Sequence, residues 1–243
     1  MGTTTQGKLE ETKAKQQKVI MSKERAVCLI QNYVDETKKD AHDRNMSWRY
    51  CYKVFSENRN KKDDKTIDYL ALHLGFYLAS WGMYRGSSFL LGKDYKIHIP
   101  IVRIIQEEKY NSLHGISAEN LCKESNLDLL DEISERIRDC YIREKEIGDF
   151  KSNNVTDTLI TKVLLGTLGC VPAFDSYYIQ SVKKCQISKG IYDRESVRRV
   201  AEFYCDNFDE FEKLRQELSS CGVKYPPMKL MDMCFWQDTY ENK

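Results

Sequence analysis

Apolar residues recur along this chain at intervals of three and four, the spacing that places them on one side of an α-helix. Val19, Ile20, Val27, Ile30, Tyr33 and Val34 outline a first helix. Trp48, Cys51, Val54 and Phe55 outline a second, with Ser47 as its N-cap. The charged run Asn58 to Lys65 reads as a solvated connection. Ile67 to Met83 is apolar nearly all round, which predicts a central buried helix ending at Gly82 and Gly86. Tyr95 to Ile99 alternates before Pro100, as a short strand would, but an extended entry to the helical pattern of Ile101 to Tyr110 is simpler.

Ser117 can cap a short helix through Ser125, and Leu130, Ile133, Ile137 and Tyr141 mark an amphipathic helix running to near Gly148. Thr156 can cap a helix carrying Leu159, Ile160, Val163 and Leu164. Pro172 suits the first position of the next. Val197, Val200 and Ala201 define another, Phe208 to Leu218 continues the pattern, and Met228 to Trp236 follows the break at Pro226-Pro227. The sum is about ten helices with short connections, which predicts an all-α protein. Residues 1–20 read as a polar N-terminal segment and residues 21–243 as a single helical globule. The alternative is two lobes meeting near 148–156, whose groove would be the natural place for a site.

Composition narrows the class. Only 4 prolines and 12 glycines interrupt 243 residues, which favours long helices over a sandwich or barrel. The net charge of +1 means that an anionic partner must be held by local basic patches rather than by a global field. The 9 cysteines are odd in number and never in C-x-x-C spacing, the pattern of buried reduced thiols rather than of a zinc site or a disulfide framework. Val19-Ile20-Met21 is too short for a secretory h-region, and the run Tyr69 to Tyr84 is too short to cross a bilayer. These features predict a soluble cytoplasmic protein without a membrane anchor; the oligomeric state is not readable. No Walker loop, dinucleotide fingerprint or G-x-S-x-G occurs, and His42, His73, His98 and His114 show no metal spacing, so neither cofactor nor metal is expected.

Candidate chemistry centres on the run from Leu164 to Tyr178, LLGTLGCVPAFDSYY. A helix that stops at Gly166 and Gly169 and restarts at Pro172 would leave backbone N–H groups unpaired at the new helix start. Those groups attract phosphate, and Lys183 and Lys184 could extend the patch. A carboxylate, Asp175, would sit in the first turn. The plainer alternative is that the glycines only end a helix and that Asp175 only complements its dipole.

The stretch Gly169 to Tyr178 resembles the end of the catalytic region in helix-hairpin-helix DNA glycosylases, where a Gly-x-Pro-Ala-like turn leads to a catalytic Asp. The resemblance runs over about residues 161–178 and implies a helix-hairpin-helix-like turn. It implies Asp175 as catalytic acid, Lys162 as a second catalytic group in the preceding helix, and DNA as partner, gripped through Gly166, Gly169, Lys183 and Lys184. The sequence departs from that family where Lys151 to Val155 stands in place of the hairpin's Leu-x-Gly-x-Gly, and the interval from Lys162 to Asp175 is short.

A second patch, Leu78 to Phe89, ends a buried helix in aromatics, an arginine and small polar residues. Enzymes that work on a base extrude it and stack it between flat side chains. Trp81, Tyr84, Arg85 and Ser87, with Tyr177, are therefore the candidate nucleobase pocket; ordinary aromatic packing at a helix end is the alternative. The patch also resembles one in a family of bacterial proteins, which brings no activity with it. The expected function is hydrolysis of the N-glycosidic bond of a flipped base. The rivals are a non-catalytic helical protein, in phage defence or regulation, that binds DNA or a partner helix, and a purely protein-binding scaffold.

Overall fold

The computed structural model describes residues 20–86, 88–146, 155–219 and 222–243. All regular structure there is helical: α1 (Lys23–Lys38), α2 (Met46–Glu57), α3 (Asp64–Ser80), α4 (Ile99–Ile105), α5 (Ala118–Leu121), α6 (Glu124–Glu146), α7 (Asp157–Thr167), α8 (Ser176–Lys184), α9 (Arg194–Asp206), α10 (Phe208–Ser219) and α11 (Pro227–Glu241). Three short 3₁₀ turns, at Phe89–Gly92, Tyr95–His98 and Glu108–Leu113, link α3 to α5. No helix among the described residues is long and apolar enough to cross a membrane.

Several starts follow the expected chemistry. Thr156 accepts from the Leu159 backbone N–H and Ser117 from Asn120, each satisfying one donor that the first turn leaves open; Asp63, read from the sequence only as part of a charged connection, caps α3 in the same way by accepting from Thr66. Ser47 does not cap α2. It lies inside that helix, buried, and α2 starts after Asn45 without a side-chain cap. The stretch before Pro100 is neither a strand nor extended: Tyr95–His98 is a 3₁₀ turn flowing into α4. Proline is tolerated there because the first turn of a helix needs no N–H from it. The helical pattern of Ile101 to Tyr110 is split, since α4 ends at Ile105 and a 3₁₀ turn follows.

The core is one contiguous apolar cluster from Met21 to Trp236, built by helices on both sides of 148–156. α11 returns to pack on α1 and α8, while α2 and α3 pack on α7. At its centre α7 is buried from Leu159 to Thr167, and α11 from Pro227 to Thr239. The indole N–H of Trp48 on α2 donates to the Leu165 carbonyl of α7 at 2.9 Å, tying the two helices.

The glycine turn is a packing device. Gly169, at φ +66°, ends α7 in the left-handed conformation, with its N–H on the Leu164 carbonyl. A Cβ there would lie 2.5 Å from Pro226 and 2.9 Å from Tyr52, and one at Gly166 would lie 2.5 Å from the Tyr77 ring. Both glycines are buried. They therefore cannot hold a nucleic-acid backbone, and the expected hairpin grip is corrected: protein side chains occupy the space a phosphate would need. Gly169→Ala combines backbone strain with overpacking and is expected to destabilise the fold by about 2–4 kcal/mol, read as a lowered urea midpoint at constant m.

Pro172 does not open α8. Residues 169–174 run as an irregular buried segment, Asp175 emerges half-buried, and α8 begins only at Ser176. The segment's backbone groups are taken by side chains of two other helices. Ala173 N donates to Asp232 Oδ1 at 3.0 Å and Phe174 N to Thr161 Oγ1 at 2.9 Å, while Thr158 Oγ1 donates to the Phe174 carbonyl at 2.8 Å. These contacts satisfy an irregular backbone in the interior and fix where the chain emerges at Asp175.

Candidate active-site cleft

Asp175 is the N-cap of α8. Its Oδ1 accepts from the backbone N–H groups of Tyr177 and Tyr178, both at 3.1 Å. The donors expected to await a phosphate are thus filled by the protein's own carboxylate. The other oxygen, Oδ2, accepts from Lys162 Nζ at 3.1 Å. Lys162 reaches it from α7 and is 3% exposed. Its ammonium also lies 4.8 Å from the centre of the Trp81 ring, an aromatic face that favours a cation.

This pair lies in the wall of a cleft of about 650 Å³. The end of α3 and the turn after it contribute Trp81, Tyr84 and Arg85; α7 contributes Thr158 and Lys162; the start of α8 contributes Asp175, Ser176 and Tyr177. Two more walls come from Arg44, before α2, and Trp236, on α11. Five of the residues singled out in the sequence, Asp175, Lys162, Trp81, Tyr84 and Tyr177, therefore meet around one opening, with Arg85 at its rim. Ser87 lies outside the described residues. Lys183 and Lys184 do not join them. They occupy the last turn of α8, roughly 12 Å along the helix from Asp175, and Lys184 is 3.6 Å from Asp238.

The aromatic residues form one connected set. Tyr177 stacks on Trp236 with centroids 5.2 Å apart and planes at 16°, and Trp81 meets Trp236 edge-on at 5.9 Å. Arg44 lies over both indoles, at 5.1 Å from Trp81 and 5.8 Å from Trp236. Lys243 donates to the Tyr177 hydroxyl at 2.5 Å. Neither Arg44 nor Arg85 has a carboxylate partner among the described residues, so the rim carries uncompensated positive charge.

Tyr84 is held from behind. Its hydroxyl meets His98 Nε2 at 2.7 Å, and His98 Nδ1 meets the Tyr141 hydroxyl at 2.8 Å. A neutral imidazole has one donor and one acceptor, so this chain of three is satisfied without charge. Burial drives His98 down to about 3, against a weak opposing pull from Asp94, and raises Tyr84 to about 12. The sign follows from linkage. Below about pH 6.5 the unfolded chain binds a proton that folded His98 refuses, so its stabilisation is complete above that pH and drains away toward pH 3. Acidification from pH 7 to 5 should cost about 2 kcal/mol from this residue alone. His98→Gln, which keeps a donor and an acceptor but does not titrate, should flatten that loss in urea unfolding; an identical slope in the variant would refute the assignment.

Sequence reasoning missed Arg44 and Trp236 as cleft residues, and the two threonines and Asp232 that fix the approach to Asp175. Trp236 was legible only as part of an apolar helix, and no local signal marks Arg44. Comparison with known proteins returned no matching family model, no similar curated protein and no similar solved structure. The class is accordingly set by the fold and the cleft: an all-α protein in which a buried lysine and a half-buried aspartate open on an aromatic, cationic pocket.

Proposed function

We propose that the protein is a DNA glycosylase-like hydrolase that cleaves the N-glycosidic bond of a base drawn into this cleft. The observation that carries the reading is the meeting of the Asp175 carboxylate and the Lys162 ammonium with Trp81, Tyr84 and Tyr177 around one cleft of about 650 Å³. Flat side chains suit an extruded base, and Arg44 and Arg85 suit the phosphates on either side of it. Water adds to C1′ as the carbon–nitrogen bond breaks and the base leaves with a proton. Asp175, fixed by its helix-start and Lys162 contacts, faces the positive charge that develops on the sugar without having to reorganise. Cys51, Cys140, Cys170, Cys185 and Cys234 are free and buried, which fits a reducing cytoplasm.

The test is direct. The protein is incubated with single- and double-stranded oligonucleotides carrying a panel of modified bases, and free base is measured by mass spectrometry alongside abasic sites. Release by the native protein, cut by about 10²–10³-fold in Asp175→Asn, is the expected result. Salt-sensitive DNA binding with no base released from any substrate would replace this reading with the non-catalytic one. That second reading has its own support in the rim arginines, which would serve binding equally well.

A further inference from the structure

A helix that is apolar on every side belongs in an interior, and α3 has that composition, yet only one side of it is covered. Its inner side, with Leu70, Leu74 and Leu78, is buried in the core. On the outer side Tyr69 is 47% exposed, Leu72 48% and Phe76 60%, and Ala79 is exposed next in line. These four follow one another at steps of three, four and three residues, the spacing of a seam along which one helix packs on another. Other side chains border the seam. On one edge the Tyr95 hydroxyl donates to Asp68 at 3.1 Å, and on the other His73 stands edge-on to Tyr69 with ring centres 4.6 Å apart.

The spacing says that the missing cover is a helix, and the charges say which one. Asp64, at the start of α3, has a side chain 91% exposed, and its bond to Arg103 uses only Oδ1. Past the other end of α3, Arg85 folds onto Gly82, its Nε 2.6 Å from where a Cβ would stand. Arg85 is the rim arginine without a carboxylate partner among the described residues. Positions 64 and 82 are separated by a whole number of turns at 3.6 residues each, so Asp64 and the Gly82–Arg85 turn lie on the same edge of the helix. An antiparallel two-fold pairing brings like edges together. With its axis near Leu72, Asp64 of each copy comes level with the Gly82 turn of the other, and the acid meets the arginine twice.

The same axis lays Tyr69 of one copy against Phe76 of the other. It also holds the two Lys65 ammoniums, which continue the seam by one turn, about 22 Å apart. A parallel pairing would set them face to face, like charge on like. Two helices of 17 residues in contact bury on the order of 1,000 Å² in total, the lower limit for a specific interface, so the association is weak and reversible. A two-fold contact closes on itself and ends at the dimer.

We propose that the protein pairs with a second copy of itself through the outer face of α3, antiparallel, with Tyr69, Leu72 and Phe76 as the apolar seam and Asp64 of each copy on Arg85 of the other. The partner copy thereby adds a carboxylate to the rim of each cleft. A guanidinium has five N–H donors, so Arg85 keeps some for a phosphate. The inference does not depend on the cleft chemistry.

The experiment is sedimentation of the full chain from about 1 to 200 µM, a range that spans a micromolar Kd. Monomer should give way to dimer across it, with no larger species. Phe76→Glu and Leu72→Glu, which put a carboxylate into the seam, should each weaken the dimer at least about 100-fold. Ile191→Glu, at an exposed apolar residue outside α3, should leave it unchanged. Asp64→Arg should weaken it about tenfold, and adding Arg85→Asp should restore it. At the lowest concentration Phe76→Glu should melt within about 2 °C of native, because in the monomer that side chain is largely in water. A chain that stays monomeric at 200 µM would overturn the proposal. So would self-association that ignores both seam variants, a loss as large in Ile191→Glu, a charge swap that restores nothing, or a Phe76→Glu protein that unfolds as a monomer.

Discussion

Asp175→Asn is expected to reduce base release by about 10²–10³-fold, the scale on which a preorganised group facing developing charge contributes. The substitution separates two roles of one side chain. Asparagine caps helices as well as aspartate does, so the bonds to the Tyr177 and Tyr178 N–H groups can persist. The bond to Lys162 cannot, because the amide either turns a donor toward the ammonium or gives up the cap. Lys162 is almost wholly buried, and an ammonium left there without a counter-charge should cost about 3 kcal/mol, the lower end for a broken buried pair because the Asp175 side chain is 15% exposed. Adding Lys162→Met removes the stranded charge. The double variant should recover most of the melting temperature and none of the activity. Recovery of base release along with stability would mean that Asp175 acts only through folding, and the catalytic assignment would fall.

The second large effect lies one layer deeper. Asp232→Ala should destabilise the protein by about 3–5 kcal/mol and lower Tm by about 10–15 °C. It strands the Lys229 ammonium between the rings of Tyr33 and Trp48, at 5.2 and 5.0 Å, with no carboxylate, and it removes the acceptor of the Ala173 N–H. Ala173 is two residues from Asp175, so whatever folded protein remains should also lose activity through misplacement of the carboxylate. Lys229→Met combined with Asp232→Leu removes both charges and should regain much of the stability, but not the hold on Ala173. A Tm within about 2 °C of native for Asp232→Ala would show that the pair carries no structural load.

Helices with one wet face were the readable part of the chain. In α1, α6 and α9 the apolar spacing names the buried side, because the other side stays in water and is free to be polar. Caps were readable where a hydroxyl or carboxylate directly precedes such a pattern, as at Ser117 and Thr156. They failed where tertiary contacts intervened: Ser47 is drawn into the core, and Asn45 spends its amide on Thr37 rather than on its helix. α7 and α11 are enclosed on every side, so their sequences carry no preferred face, and nothing local says that Lys162, Lys229, Asp232 and Asp238 lie inside.

By itself the amino-acid order determined the all-helical class, the caps at Ser117 and Thr156, and the residue types that line the cleft at Asp175, Lys162, Trp81, Tyr84 and Tyr177. Periodicity and capping act within a few residues, so a linear reading reaches them. Tertiary structure alone decided that these five meet, that Arg44 and Trp236 complete their walls, and that Gly166 and Gly169 are filled by Tyr77, Pro226 and Tyr52 instead of a phosphate. Such contacts join positions tens to more than a hundred residues apart, and what selects them is the collective close packing of the interior, which no short stretch of sequence encodes.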